Sequence, residues 1–203
     1  MNPGNSRHFY KLASLLNIAP ISRRLQSDTR AVSAVEFALI LPLMLLILIG
    51  MEEATGALNQ DRKVSRIANS VTDLVAQAQT VDKNDLQGIM DLGEKILTPY
   101  PADTLDIVLA SVTFDEDGDA SVDWSLNKSG GEPWAPGAVP PVTLPGTVSV
   151  ANTSIVVGQV SLTYTPTFAG IFTEVFDRDS AIDLGDTYYL RPRLTNTVAC
   201  SDC

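Results

Sequence analysis

Glu36 is the residue whose position most demands a chemical explanation. It is the only charge in Ala31 to Met51, AVSAVEFALILPLMLLILIGM, where Pro42 is the only helix breaker. An ionised side chain at the centre of a bilayer costs about 2.5 to 3.5 kcal/mol on the insertion scale. Near the cytoplasmic-side end of the run that cost falls, because the carboxylate can reach headgroups or a cation. An acid in such a place reads as functional. The competing reading is a plain anchor with a tolerated acid at its edge.

The other candidates carry less chemistry. Cys200 and Cys203 form a C-x-x-C in the last four residues, without a second pair. Zinc needs more ligands, and the only histidine, His8, is expected on the other side of the membrane. A thioredoxin-like site would need the motif to open a helix within a βαβ pattern, and here the chain ends instead. What remains is a small terminal disulfide, worth about 2 kcal/mol at most for so short a loop. The cluster Asp115-Glu116-Asp117-Gly118-Asp119 invites calcium, but the EF-hand pattern puts a Glu six residues after its Gly, and position 124 is Trp. It reads as an Asp-Gly turn. Arg191 and Arg193 flank Pro192 and would project to one side of an extended strand. In so acidic a domain, pairing with internal carboxylates is expected over pairing with a neighbouring subunit. There is no G-x-S-x-G, Walker lysine loop or H-E-x-x-H, and no histidine beyond Met51. No enzymatic activity, cofactor or metal is expected.

These residues are positioned first by a membrane segment. Phe37 to Met51 is 15 residues, which as a helix reaches about 22 Å, short of the ~30 Å hydrocarbon core. The span closes only if Val32 to Val35 join it, which brings Glu36 inside. Charge sets the orientation. Five basic residues against Asp28 precede Ala31, a balance of +4, whereas nine basic and 22 acidic residues follow Met51, a balance of −13. Positive flanks stay inside, so the N-terminus is cytoplasmic and the acidic part lies outside. Such a charge also argues against nucleic acid as a partner.

The expected organisation is residues 1–31 as a cytoplasmic leader or basic tail, 32–51 as the transmembrane helix, and 52–203 as a periplasmic or extracellular α+β domain. The leader contains HFYKLASLLNI, which can lie on the inner membrane face as a short amphipathic helix or remain a disordered leader. Leu58, Val64, Ile67, Val71, Leu74, Val75 and Ala78 continue the helical period, so one helix is expected from about Val32 to about Gln79. Asp82 caps a second helix over Lys83 to Leu97, which Pro99 ends.

Strands follow. Thr104 to Phe114 and Ala120 to Leu126 form a hairpin, with Val122 and Trp124 on one face. Asn127 to Gly146 holds Gly or Pro at nine of 20 positions and is loop. Thr147 to Val150, Ser154 to Thr165 and Thr187 to Leu194 are the remaining strands, the last an edge strand because of Pro192. IFTEVF, within Phe168 to Phe176, reads as a short helix or a membrane-facing loop, with core packing the favoured use. No internal repeat is visible.

The run Ser33 to Pro42 (SAVEFALILP), then Leu43 to Gly50 and Glu52-Glu53, resembles the TadE/TadG-like family, pilin-like minor components of the Flp (tight adherence, Tad) pilus. GQVSLTYTPTF and YYLRPRLTNTVAC resemble the family's C-terminal half. The resemblance implies a pilin-like α+β fold with a long N-terminal helix, an inner-membrane location, and other pilin-like subunits and Tad assembly machinery as partners. It also implies Glu36, Phe37 and Pro42 as the assembly and recognition signature, and a prepilin peptidase cutting between Ala31 and Val32. Ala31 stands where the family usually has Gly. Two other readings compete: a bitopic periplasmic binding or signalling protein with a plain anchor, and a secreted domain whose signal peptide is cut near Ala57. Glu52 and Glu53 beside that site argue against the second.

Overall fold

The computed structural model describes residues 29–168 and 181–203. The amphipathic leader piece and IFTEVF lie outside the described residues. The chain divides at Met51/Glu52 into two compact units.

Helix α1 (Thr29–Ala76) contains Pro42. In its first part the side chains of Val32, Val35, Phe37, Leu39 and Leu43 to Leu48 are all exposed. The helix is long and apolar enough to cross a membrane, with mean hydropathy 2.6 over an 18-residue window of which none is buried. A helix suits such a segment because it satisfies its own backbone polar groups.

In the Glu52–Cys203 unit, α1 buries Val64, Ile67, Ala68, Val71, Thr72, Val75 and Ala76. Their three- and four-residue spacing is the stripe of an amphipathic helix. Leu58 and Leu74, expected on that stripe, are instead exposed at 56% and 37%, whereas the smaller Ala68, Thr72 and Ala76 face inward beside Val64, Ile67, Val71 and Val75. Two glycines explain the choice. A Cβ on Gly158 would come within 3.2 Å of Thr72 Cβ and 3.4 Å of the Ala68 carbonyl. One on Gly93 would meet Ile67 and Ile107 at 3.0 Å. The helices therefore lie close to each other and to the sheet.

Strand β1 (Thr80–Val81) is followed by α2 (Lys83–Leu97). Asp82 Oδ1 accepts from the Asp85 N–H at 2.7 Å, and Asp85 Oδ2 accepts from the Asp82 N–H at 3.3 Å, a reciprocal capping box. At the other end Lys63 Nζ donates to the carbonyls of Ile96 (2.8 Å) and Thr98 (2.7 Å), placing a cation where the helix dipole is negative.

The main sheet contains β2 (Leu105–Phe114), β3 (Ala120–Asn127), β4 (Ser154–Tyr164) and β5 (Ile182–Leu190) in the order β3-β2-β4-β5, all antiparallel. The architecture is α+β: a long N-terminal apolar helix, a second helix and an antiparallel four-stranded sheet. Leu105, Ile107 and Leu109 of β2 join the core under the helices. Val108, Ala110, Val112 and Phe114 face a second core, closed by Trp134, Val142, Leu144 and Val148 from the loop after β3. Burial on both faces explains why β2 reads as a nearly unbroken apolar run.

Three strand expectations are corrected. Val122 and Trp124 do not share a face: Ser111 pairs with Trp124 and Val112 with Val122, so Asp123 is an extra residue. This bulge shifts the alternation by one and sends Trp124 to the helix-side core and Val122 to the other. Thr147 to Val150 is not a strand, because Pro145 turns the chain there and its carbonyl accepts from Val148 N–H and Ser149 N–H. The last sheet strand begins at Ile182 and ends at Leu190, so Arg191 to Arg193 lie beyond the ladder. It is nonetheless an edge strand.

The tail returns to the core. β6 (Ala199–Cys200) pairs in parallel with β1, Ser201 N–H donates to the Val81 carbonyl, and Trp124 Nε1 donates to the Val198 carbonyl at 2.8 Å.

Candidate functional site

The residues singled out from the sequence fall in separate places. Ala31, Val32, Glu36, Phe37 and Pro42 all lie on α1 within the first unit. Val32 and Glu36 are four apart and so share one helix face. Phe37 is 60% exposed and Glu36 is exposed as well, so the signature is presented outward on an apolar rod.

Cys200 and Cys203 are joined as a disulfide, with Cα atoms 5.6 Å apart. With Asp202 they form a group of three potential ligand atoms, but neither sulfur is a thiolate, the form that ligates metal. Asp202 has another use: its Oδ1 accepts from the Lys83 N–H at 2.9 Å, at the start of α2.

The acidic cluster is a backbone device. Asp115 Oδ1 accepts from the N–H groups of Asp117 (3.0 Å) and Asp119 (2.8 Å), and Gly118 takes the positive φ of +88° that the turn needs. Arg193 donates to Asp73 Oδ1, and its backbone N–H to the Ala76 carbonyl at 2.9 Å, fastening the segment after β5 to α1. The internal pairing expected for the arginines is thus made by Arg193, while Arg191 is exposed.

A pocket of about 460 Å³ lies in the second unit, where the start of its α1 portion meets the end of β4 and the segment after α2. Glu52, Asn59, Gln60, Tyr100, Asp103 and Tyr164 are among its lining residues. On its wall the Tyr164 hydroxyl donates to Glu53 Oε2 at 2.8 Å, and the Phe168 N–H donates to Glu53 Oε1 at 2.6 Å. Gly56 makes the approach possible, since a Cβ there would stand 3.0 Å from the Tyr164 hydroxyl. Burial, reinforced by the hydrogen bond to Glu53 and by the charges of Glu53 and Glu52, pushes the Tyr164 hydroxyl from 10.0 up to about 12. It therefore stays a donor at physiological pH.

Reading the sequence missed this pocket. One signal was present: Gln60 occupies the inward stripe of α1 four residues before Val64, an amide where the period calls for an apolar side chain. The tyrosine, the glycine and the carboxylates are too far apart in sequence to be linked without the fold.

No curated protein and no solved structure matches the chain. A family model does, over residues 31–71, the apolar part of α1 and much of its packed part. The glutamate-aromatic signature and Pro42 fall inside that match. Over residues 31–71 the chain is thus similar to the family described as TadE-like protein.

Proposed function

We propose that this protein is a minor pilin-like component of a Flp/Tad pilus assembly system, anchored in the inner membrane by α1 and acting structurally, without catalysis of its own. The observation that carries this reading is the coincidence of the TadE-like match with a helix segment whose apolar side chains, the half-buried Ile49 apart, are exposed from Val32 to Met51, and whose one internal charge is Glu36. A soluble core helix buries such a face. This one presents it, as needed for lipid or for neighbouring helices of the same kind. The orientation is N-in, from the +4 balance before the span and the −13 balance after it.

In this reading a prepilin peptidase cuts between Ala31 and Val32, leaving Glu36 as the fifth residue of the mature chain. The new amine on Val32, one helical turn away or on a neighbouring subunit, supplies the opposite charge that an acid in lipid requires. Ala31 in place of the usual Gly either slows the cut or leaves the leader in place, and N-terminal sequencing separates the two.

N-terminal sequencing of protein from membranes of a cell with an active prepilin peptidase should begin at Val32. An intact Met1 start would remove the processing step. Glu36→Gln should leave insertion unchanged and abolish co-purification with pilin-like partners; unchanged co-purification would return the helix to a plain anchor. Alkaline phosphatase fused after Cys203 should be active, and activity only in fusions before Ala31 would reverse the topology.

A further inference from the structure

We propose that the pocket beside Glu52 and Gln60 is a receptor for a guanidinium group, the arginine side chain of a partner polypeptide. The proposal stands whether or not the chain belongs to a pilus, because it rests on the Glu52–Cys203 unit alone.

Gln60 is the first observation. Five polar residues are buried in the described structure: Gln60, Thr72, Ser111, Ser125 and Ser154. Four of them spend their hydroxyls internally, on the Ala68 carbonyl, Asp123, the Trp134 carbonyl and the Asn196 carbonyl respectively. Gln60 does not. It is 8% exposed and lines the pocket, and among the described residues its side chain has no hydrogen-bond partner. Every fully enclosed side-chain nitrogen and oxygen in the described residues does have one. The Gln60 amide is therefore a polar group held in the core register of α1 whose hydrogen bonds are left for whatever enters the pocket.

The charge of the lining sets what enters. Glu52, Glu53 and Asp103 line the pocket and no basic side chain does. Glu53 already accepts from Tyr164 and Phe168. Neither Glu52 nor Asp103 takes part in an ion pair among the described residues. Lys63, above the Tyr100 ring at 5.7 Å, is committed to the carbonyls that end α2. The pocket thus offers uncommitted carboxylates, the amides of Asn59 and Gln60, and an aromatic ring.

That set suits a guanidinium better than a metal ion. The lining acids do not converge: among the described residues the one group of three such ligands within 4.8 Å is at Cys200, Asp202 and Cys203. Calcium needs six to eight oxygens closing on one point, and a space of about 460 Å³ is far larger than a bare ion. Arginine presents five N–H donors in a planar fork and stacks on aromatic faces, so it can meet acceptors spread around a wide pocket; the ammonium of lysine is a point charge with three donors.

The test is a titration of ¹⁵N-labelled full-length protein in nonionic detergent micelles with N-acetyl-arginine amide, following the side-chain amide signals of Gln60 and Asn59. Saturable shifts of both signals are expected. N-acetyl-lysine amide should bind more weakly. The exposed-site variant Asp103→Asn should weaken arginine binding by up to about five-fold, the measured range for a partly exposed ion pair. Gln60→Met, similar in volume, should abolish the response of Asn59 while the rest of the spectrum keeps its dispersion. No saturable shift, tighter binding of the lysine probe, or saturation by calcium chloride at lower concentration than by the arginine probe would each overturn the assignment. So would an Asp103→Asn variant that binds the arginine probe as the parent does.

Discussion

The Tyr164 hydroxyl donates to Glu53 Oε2 at 2.8 Å, across 111 residues of sequence, and so ties the end of β4 to the first residues of α1 that belong to the Glu52–Cys203 unit. A hydrogen bond to a charged acceptor contributes roughly 1.5 to 3 kcal/mol. Because this one borders a pocket, Tyr164→Phe should cost about 1.5 kcal/mol, read by urea unfolding. The sign with pH follows from the raised pKa. The phenol is the donating form and ionises at about 12 in the folded protein against 10.0 when unperturbed. Its contribution is fully present below pH 10 and is lost as the pH rises through 12. Melting temperatures of the parent should fall more steeply than those of Tyr164→Phe between these values. Parallel curves would remove Tyr164 as the source.

Gly158 sets the distance between β4 and α1. Alanine there would press on Thr72 and on the Ala68 carbonyl, and overpacking of this kind costs typically 1 to 3 kcal/mol. Adding Thr72→Ala should recover part of the loss, since the Thr72 hydroxyl, which donates to the Ala68 carbonyl at 2.5 Å, is the nearest obstacle. A double-mutant cycle with no coupling would show that the helix simply moves away.

Asp123, the extra residue of the β3 bulge, accepts from Ser111 Oγ at 2.7 Å and Thr113 Oγ1 at 2.8 Å. Ser111 is fully buried, so Asp123→Ala leaves an enclosed hydroxyl without its acceptor. A loss of about 1 to 3 kcal/mol is expected. Asp123→Ala combined with Ser111→Ala should be less destabilised than Asp123→Ala alone.

The tail tolerates loss of its disulfide. Removing a loop this short costs about 2 kcal/mol at most by chain entropy, and Trp124, Val81 and Lys83 hold the same segment by hydrogen bonds. Cys200→Ser with Cys203→Ser should therefore keep its fold and lose only a few degrees of melting temperature. Trp124→Phe, which frees the Val198 carbonyl, should instead expose the tail to carboxypeptidase. Equal protease resistance would show that β6 pairing alone suffices.

The sequence by itself determined the features that depend on neighbours along the chain. The apolar run with one acid, the long amphipathic continuation, Asp82 as the cap of α2 and the Asp-Gly turn are local periodicities or local hydrogen bonds, and residue types at fixed spacing specify them. The signature around Glu36 was legible for the same reason. Only the tertiary structure decided where side chains meet across the sheet. The bulge at Asp123 separates Val122 from Trp124 because a single extra residue reverses every side chain beyond it, and no spacing rule predicts which residue is extra. Val64, Ile67, Val71 and Val75 face inward as the helix period requires, but Leu58 and Leu74 do not, and opposite Gly158 the small Ala68 and Thr72 lie inward because β4 and α1 approach closely there. The pocket was invisible in advance because Glu52, Gln60, Asp103 and Tyr164 come from three separate segments. Their carboxylates and amides acquire a shared chemistry only when the fold sets Gln60 in the pocket wall, largely buried and without a partner among the described residues.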